Sequence, residues 1–539
     1  VSHNAVPDRK EHLMSEQAGA KRPNILFLMT DQQRFDTIAA LGNAHIVTPN
    51  LDRLARRAVS FTNAYTTCPV CVAARYTIRT GCEPPTTRIF SNRRSAPVAG
   101  QADTVEARCG PYLVKAMAHL GYRTFGVGKF HTQPWDEELG YQVHLHSEEL
   151  YGTADQRRRD DFAAWIAREW PQFDYVEALM GERTEMYYMP QVSPLPPEAT
   201  VEWWAADRAV EQIAGHGQDA RGTHGQDVHA APFFGFVSFV GPHPPFAPPV
   251  PFNRMYDPDR MPNPVVGDPA GDHKDPFLPA SNHAMYADEI SPHRARCLKA
   301  RYYGEITYID HCVGRILDAL DAAGLADNTL VAFLADHGDH LGDHNAWQKE
   351  SFFEGACHVP LLVSWPGRLP ADTRRDELVC LTDLFGLATA AAGAPDLREG
   401  IDLLGMLDGR AAPRETLIGL YGEPGTHHFK AMVRRGQWKY IHIANGGREQ
   451  LFDLGEDPAE LRDLADELRD VACELRALAA AACDTPGARD ALDGGDLRAF
   501  ALQQAWQPQR CRQFDRSRGV SDFPADPADV LAEFRRRMA

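Results

Sequence analysis

The sequence predicts an α/β protein. A large, mostly parallel or mixed sheet is sandwiched by helices, followed by a smaller C-terminal antiparallel-sheet subdomain and a C-terminal extension. Three observations lead there. Apolar runs of strand length, such as Asn24–Met29, Phe233–Val240 and Thr329–Leu334, show no polar alternation, as strands covered on both faces do. Segments of helical periodicity lie between them, the order that builds parallel sheets. Beyond about Ala411 the pattern changes to short strands separated by Gly-containing turns.

Taken in order, Asn24–Met29 carries Asp31-Gln32 at its carboxyl end. Thr48-Pro49-Asn50 opens a short helix through Arg56, and Val59–Ala64 suits a strand. Pro111–Leu120 is helical in pattern and stops at Gly121; Tyr122–Gly128 is a strand that delivers Lys129 and His131. Val201–Ile213 reads as a helix and the Gly-, His- and Asp-rich Gly215–Ala231 as a solvated loop. Phe233–Val240 ends in Gly241-Pro242-His243-Pro244-Pro245, and the Pro- and Asp-rich stretch to Pro292 is an irregular excursion. Ile306, Ile309, Val313, Ile316, Leu317 and Leu320 share one helical face, in a helix that stops near Gly324. Thr329–Leu334 is followed at once by Asp336-His337-Gly338, and Pro360–Trp365 is a further strand. Ligands gather at the carboxyl ends of strands in such sheets, so Asp31, Lys129, His243 and Asp336 are expected on one edge.

In the C-terminal part, Met432–Val433, Trp438–Ile443 and Gln450–Asp453 read as a small antiparallel sheet, and Ala459–Ala482 and Asp496–Ala505 as helices. The expected divisions are a polar tail over 1–22, a large α/β domain over 23–410, a sheet-plus-helix subdomain over 411–485 and a helical extension over 486–539. An extension of that size has no core of its own, so it is expected to pack on a neighbouring subunit, making the protein a homo-oligomer.

Composition narrows the function. Acidic residues outnumber basic ones 74 to 56 in 539 residues, a net charge of −18, which argues against a nucleic-acid backbone or an anionic membrane as partner. An anionic small substrate then needs a locally positive site. No run approaches the roughly 18 apolar residues of a membrane span. Eleven Cys, an odd number scattered from Cys68 to Cys511, fit a reducing compartment. Val1–Arg22 has no apolar core of a secretory signal, and a cytoplasmic location is the expectation.

The most informative segment is Cys68–Gly81, CPVCVAARYTIRTG. Its CxxC lacks the second pair a structural zinc requires, and the chain is no small thioredoxin-like unit. Cys71-Val72-Ala73-Ala74-Arg75, with Thr80-Gly81 five and six residues after the Arg, instead resembles the sulfatase element in which the Cys is oxidised to formylglycine. The resemblance extends to Pro23–Thr37, Thr48–Ala55, Gly121–His131, Gly241–Phe246, Leu334–His344 and Val359–Gly367, in sulfatase order, and to RRGQWKYI and LFDLGEDPAELRDLA near the C-terminus. The chain is thus identified as similar to the type I, formylglycine-dependent sulfatases of the alkaline phosphatase superfamily. It is arylsulfatase-like, with similarity to phosphonate monoester hydrolases.

The resemblance implies hydrolysis of sulfate monoesters to an alcohol or phenol plus inorganic sulfate. The nucleophile would be a metal-activated formylglycine hydrate, passing through a covalent sulfo-enzyme hemiacetal. Such a reaction needs an activated oxygen, positive charge for the sulfuryl oxygens and a proton for the leaving group. Asp31, Gln32, Asp336 and His337 match the family's metal-ligand positions, with position 71 as a further ligand. Gln32 and His337 lower the ligand charge and add a nitrogen, leaving Ca²⁺ or Mn²⁺, and also Mg²⁺, open. Arg75 and Lys129 would hold and polarise the formylglycine. His131 would take the proton whose loss expels sulfate, and Asp336 would double as the base for attack. His243 and Lys349, twelve residues after His337, would bind the sulfate and protonate the leaving group. Asn92 is a polar pocket residue or a turn residue of SNRR. His340, His344 and His358 stay outside the site, and Trp135, Tyr188 and Trp203 are expected in helix-face packing. A formylglycine-generating enzyme is implied as a maturation partner.

Ala73 and Ala74 replace the Pro and Ser of the commonest element, as in the phosphonate monoester hydrolases and phosphodiesterases, which form the alternative reading. Against it stands the Gly128–His131 GKxH block, which those relatives lack. An inactive anion-binding relative is the alternative from another class.

Overall fold

The computed structural model describes residues 22–92, 104–148, 154–173, 188, 190–219, 231–267, 275–278 and 290–504. Its elements begin with β1 (Asn24–Thr30), α1 (Pro49–Ala55), β2 (Val59–Phe61), β3 (Ala64–Tyr65), α2 (Cys71–Thr80), α3 (Leu113–His119), β4 (Arg123–Gly128) and β5 (Val143–His146). There follow α4 (Val201–Asp219), β6 (Phe233–Ser238), α5 (Pro292–Ala323), β7 (Thr329–Ala335), β8 (Leu361–Ser364), β9 (Thr373–Arg375), β10 (Val379–Cys380) and α6 (Asp383–Ala391). The C-terminal part holds β11 (Thr416–Tyr421), β12 (Lys430–Arg435), β13 (Trp438–Ile443), β14 (Arg448–Asp453), α7 (Arg469–Cys483), β15 (Leu492–Asp493) and β16 (Asp496–Leu497).

The main sheet has the order β5-β4-β6-β1-β7-β8-β2-β9. The five strands from β5 to β7 are parallel, while β8 runs antiparallel to both β7 and β2. The sheet is therefore mixed, within the expected class. Strand alternation splits the apolar runs between two layers. Ile25, Phe27 and Met29 of β1 pack with residues of α2, α3 and α6, whereas Leu26 and Leu28 pack with α1, α4 and α5. Each fully buried large apolar side chain contributes about 1.5–3 kcal/mol, which is why β1 and β7 can carry charged residues at their tips without losing their place.

Several local expectations shift. Val59–Ala64 divides: β2 joins the main sheet and β3 pairs with β10 in a two-stranded sheet. Helix α4 runs through Gly215 to Asp219, which corrects the loop expected over that part; residues 220–230 lie outside the described ones. Helix α5 starts at Pro292, behind a Ser291 side chain that accepts from Arg294 N. The small sheet has four strands, β11-β12-β13-β14, with β11 as the addition. Residues 459–468 are not helical, and α7 starts at Arg469. The helix expected over Asp496–Ala505 is corrected to a hairpin of β15 and β16. Gly494 and Gly495, at φ +60° and +89°, supply the two left-handed residues that a tight turn between strands needs. Residues 1–21 and 505–539 of the expected tail and extension lie outside the described residues.

Candidate active site

Strands β4, β6, β1 and β7 are neighbours in that order, so the residues following them, Lys129, His243, Asp31 and Asp336, emerge along one edge. Backbone bonds stitch these tips together: Lys129 N to Ser238 O at 2.9 Å, Asp31 N to Gly241 O at 3.2 Å and Asp336 N to Thr30 O at 3.3 Å. Gly128 makes the first of these approaches feasible. At φ +99° a Cβ there would stand 1.9 Å from Ser238 O, so no other residue fits.

Cys71 is the first residue of α2, where the helix presents its positive end. Asn92 Oδ1 accepts from Val72 N at 3.0 Å and so caps this end from a distant segment. Thr80-Gly81 closes the other end: Gly81 is left-handed at φ +65° and its N–H returns to Thr77 O. One turn on from Cys71, the Arg75 guanidinium makes four hydrogen bonds. It donates to Asp336 Oδ2 at 2.9 Å, Asp31 Oδ2 at 2.8 Å, Ser238 Oγ at 2.9 Å and Lys129 O at 2.5 Å. Lys129 Nζ reaches the same Asp31 Oδ2 at 2.7 Å. Arg75 and Lys129 thus orient the carboxylates.

The opposite faces of these groups converge. Asp31, Cys71, Asp336 and His337 each offer one ligand atom, all within 4.8 Å of one another and all buried. Cys71 Sγ lies 3.1 Å from His337 Nε2 and 3.9 Å from Asp31 Oδ1. His337 Nδ1 donates to Gly338 O at 2.9 Å, which fixes the tautomer with the Nε2 lone pair aimed inward. Burial and Lys349 also keep this imidazole neutral, well below its usual pKa. Burial would push Asp31 up, but Lys129 and Arg75 hold it well below the usual carboxylate range; burial and the adjacent Asp31 push Asp336 up to about 7. Two carboxylates, a neutral imidazole nitrogen and position 71 form a donor set for a divalent cation, whose charge would relieve the repulsion borne by Asp336. The residues fit the group. The thiol itself is a poor nucleophile here, because burial and Asp31 push it up to about 12.

Gln32 accompanies this set with its Oε1 accepting from Lys349 Nζ at 2.6 Å, and its amide group bonds to Asp339. Gln32 and His131 are both left-handed, at φ +70° and +50°, a conformation costing about 1–2 kcal/mol each. Asp336 Oδ1 holds the Gln32 amide at 3.1 Å, and Glu148 Oε1 holds those of Phe130 and His131. His243 is buried, with Nδ1 donating to Pro244 O at 2.8 Å, and it acts electrostatically on Asp31. The expected residues Asp31, Gln32, Cys71, Arg75, Lys129, His243, Asp336, His337 and Lys349 therefore share one buried cluster, with His131 at its margin. Asn92 serves the helix that carries Cys71.

The histidines expected outside are occupied elsewhere: His340 with Ser351, His344 stacked on Phe353, and His358 between Phe35 and Tyr65. Trp203, on α4, stacks on His311 as a helix-face residue should; Trp135, tilted against His146, and Tyr188, edge-on to Trp347, lie in turns, which corrects the helix-face expectation for both. Sequence reasoning missed Ser238, Glu148 and Asp339. Asp339 lies inside the motif LADHGDHLGDH, so a signal existed; a lone Glu148 after an unremarkable strand offers none.

A mixed sheet whose parallel central strands place two carboxylates and a histidine beside a helix-borne nucleophile position defines a metal-assisted hydrolase of the alkaline phosphatase kind. The sulfatase family profile matches residues 23–394, and that of the N-sulphoglucosamine sulphohydrolase C-terminal region matches 342–478. The chain belongs to the sulfatase family, whose members are sulfuric ester hydrolases. It is 29% identical over 465 residues to an arylsulfatase of Clostridium perfringens, covering 82% of this chain and 90% of that one. It is 28% identical over 457 residues to a choline-sulfatase of Rhizobium meliloti, covering 83% of each. Among solved structures, the phosphonate monoester hydrolase of Agrobacterium radiobacter superposes with a TM-score of 0.67 at 26% identity, covering 84% of this chain and 94% of that one.

Proposed function

We propose that the protein cleaves sulfate monoesters at the cluster around position 71. The observation that carries this reading is the convergence of four ligand atoms within 4.8 Å at the positive end of α2, with Arg75, Lys129 and Lys349 around them. When present, a formylglycine at position 71 supplies a hydrated-aldehyde oxygen nucleophile, and a divalent ion held by Asp31, Gln32, Asp336 and His337 lowers its pKa. Lys349 and His243 bind the sulfuryl oxygens. With Nδ1 donating to Pro244 O, the imidazolium form of His243 carries its second proton on Nε2, the one it gives to the leaving oxygen. Asp336 stands within the cluster to take a proton during attack, and His131 at its margin to move one in the step that releases sulfate.

The His337 nitrogen favours Mn²⁺ over Ca²⁺ or Mg²⁺. Conversion of Cys71 by a formylglycine-generating enzyme precedes folding, since the side chain is inaccessible in the folded chain. Peptide mass spectrometry around Cys71 and a comparison of aryl sulfate with phosphodiester turnover test the reading. Unmodified thiol throughout native material would point to an inert anion binder. Faster phosphodiester cleavage would favour the second reading, a phosphonate monoester hydrolase or phosphodiesterase, which the likeness to the Agrobacterium enzyme supports.

A further inference from the structure

Beyond the catalytic cluster, the turn that follows β6 leaves a cavity of about 140 Å³ between Gly241-Pro249 and the helices α4 and α5. Two carboxyl groups meet at its wall. Glu202 Oε1 accepts from Gly241 N at 3.2 Å. Glu305 comes close to the same glycine: a Cβ there would stand 2.8 Å from Glu305 Oε1 and 3.3 Å from Glu202 Oε1. Glu305 Oε2 is buried without a hydrogen-bond partner, and so is Ser147 Oγ on the same wall. Neither lysine nor arginine lines the cavity; a third carboxylate, Glu148, borders it but is tied to His146, Ser193 and Thr200 add hydroxyls, and the rest of the wall is Phe162, Tyr308, aliphatic side chains and the prolines after His243.

Buried carboxyls without a positive partner are costly, and burial pushes both up, with Glu202 adding to the effect on Glu305. A bare metal ion does not suit the place: among the described residues, three His, Cys, Asp or Glu ligand atoms come close enough to share an ion only in the cluster around position 71. At about 140 Å³ the cavity is close in size to the roughly 150 Å³ cavities that admit a benzene-sized molecule. That is the size of an ammonium nitrogen with four attached carbons, whose spread charge suits carboxylates and whose methyl groups suit Phe162 and Tyr308. His243 forms part of this wall and also acts on Asp31, so an occupant of the cavity lies on the leaving-group side of the catalytic cluster.

We propose that this cavity receives the organic part of the substrate, and that this part is a small alkylammonium group facing Glu202 and Glu305. The inference rests on the sulfatase reading and narrows it to sulfate esters of ammonium-bearing alcohols. The test compares 2-(trimethylammonio)ethyl sulfate with its uncharged isostere, 3,3-dimethylbutyl sulfate, on the metal-loaded, Cys71-converted enzyme, with an aryl sulfate as reference. The charged ester is expected to exceed the isostere in kcat/KM by at least about tenfold, and the ratio to collapse toward one in Glu305→Gln and Glu202→Gln. Calorimetric titration of the full chain with choline and with 3,3-dimethylbutan-1-ol gives a readout free of turnover, with choline expected to bind at least about tenfold tighter. Turnover of both esters at a ratio of one or less overturns the cavity assignment and leaves the sulfatase reading intact. Absence of turnover on all three sulfates overturns the sulfatase reading, and the calorimetry then decides the cavity alone: equal or no binding of the two alcohols sinks it.

Discussion

At the tips of β1 and β7, Asp31 and Asp336 share Arg75, with Lys129 also on Asp31; where β13 meets the large domain, Glu354 and Glu460 share Lys439, each at 2.8 Å. Both clusters are buried and built from the same residue types. In the second, Glu354 is also held by His358 at 2.7 Å and by the Tyr65 hydroxyl at 3.2 Å, so its oxygens face donors on every side. In the first, the cations hold Oδ2 of each carboxylate and two backbone N–H groups hold Oδ1 of Asp336, while Oδ1 of Asp31 faces the Cys71 sulfur and the His337 Nε2 lone pair, each 3.9 Å away. A closed cluster ties two parts of the chain together. One left open toward its own acceptors is a receptor for something positive.

Removing the open cluster's centre gives the largest expected effect. Cys71→Ala should lower aryl sulfate turnover by about 10⁴-fold or more, measured as sulfate release; a loss within tenfold would erase the distinction between the clusters. Asp31→Asn comes next, with a drop of about 10²–10³-fold and loss of divalent-ion uptake in calorimetry. Chelation of the unsubstituted enzyme should reproduce that drop, and re-addition of the ion reverse it.

For the closed cluster the expected damage is to stability. Lys439→Met takes the cation from Glu460 and leaves Glu354 with only His358 and Tyr65, and should cost about 3–5 kcal/mol, read from the urea midpoint, with kcat little changed. Glu354 supplies the pH arm: burial would push it up, but Lys439 and His358 hold it well below the usual carboxylate range. Its folded pKa is depressed, so its stabilisation is present above the unfolded value of about 4.3 and is lost as pH falls through the folded one. Lys439→Met should flatten that acid limb; an unchanged limb would detach Glu354 from Lys439. The smallest effect belongs to Asn92→Ala, where loss of the cap costs about 1 kcal/mol and lowers kcat a few-fold. A rise in KM larger than the fall in kcat would instead put Asn92 in contact with substrate.

The four strand-tip residues were legible because unbroken apolar runs mark central strands and the polar residue after each run marks its tip. Position 71 and its neighbours were legible because their motif is local. Strand direction was not: the run over Pro360–Trp365 looks the same whether β8 is parallel or antiparallel. The start of α5 was hidden by the Pro- and Asp-rich stretch before it, although Ser291-Pro292 is a proper cap and first turn. Glu148, Ser238, Glu202 and Glu305 were invisible for a different reason. Each matters through a partner brought near by folding, and no spacing along the chain announces such a pair.

None of the Arg75 hydrogen bonds that brace Asp31, Asp336, Ser238 and Lys129 involves an atom of Cys71. The bracket and the tool mounted on it are separately built. Chemistry at the first residue of α2 is thereby freed to vary by oxidation or replacement, while the scaffold beneath keeps its shape.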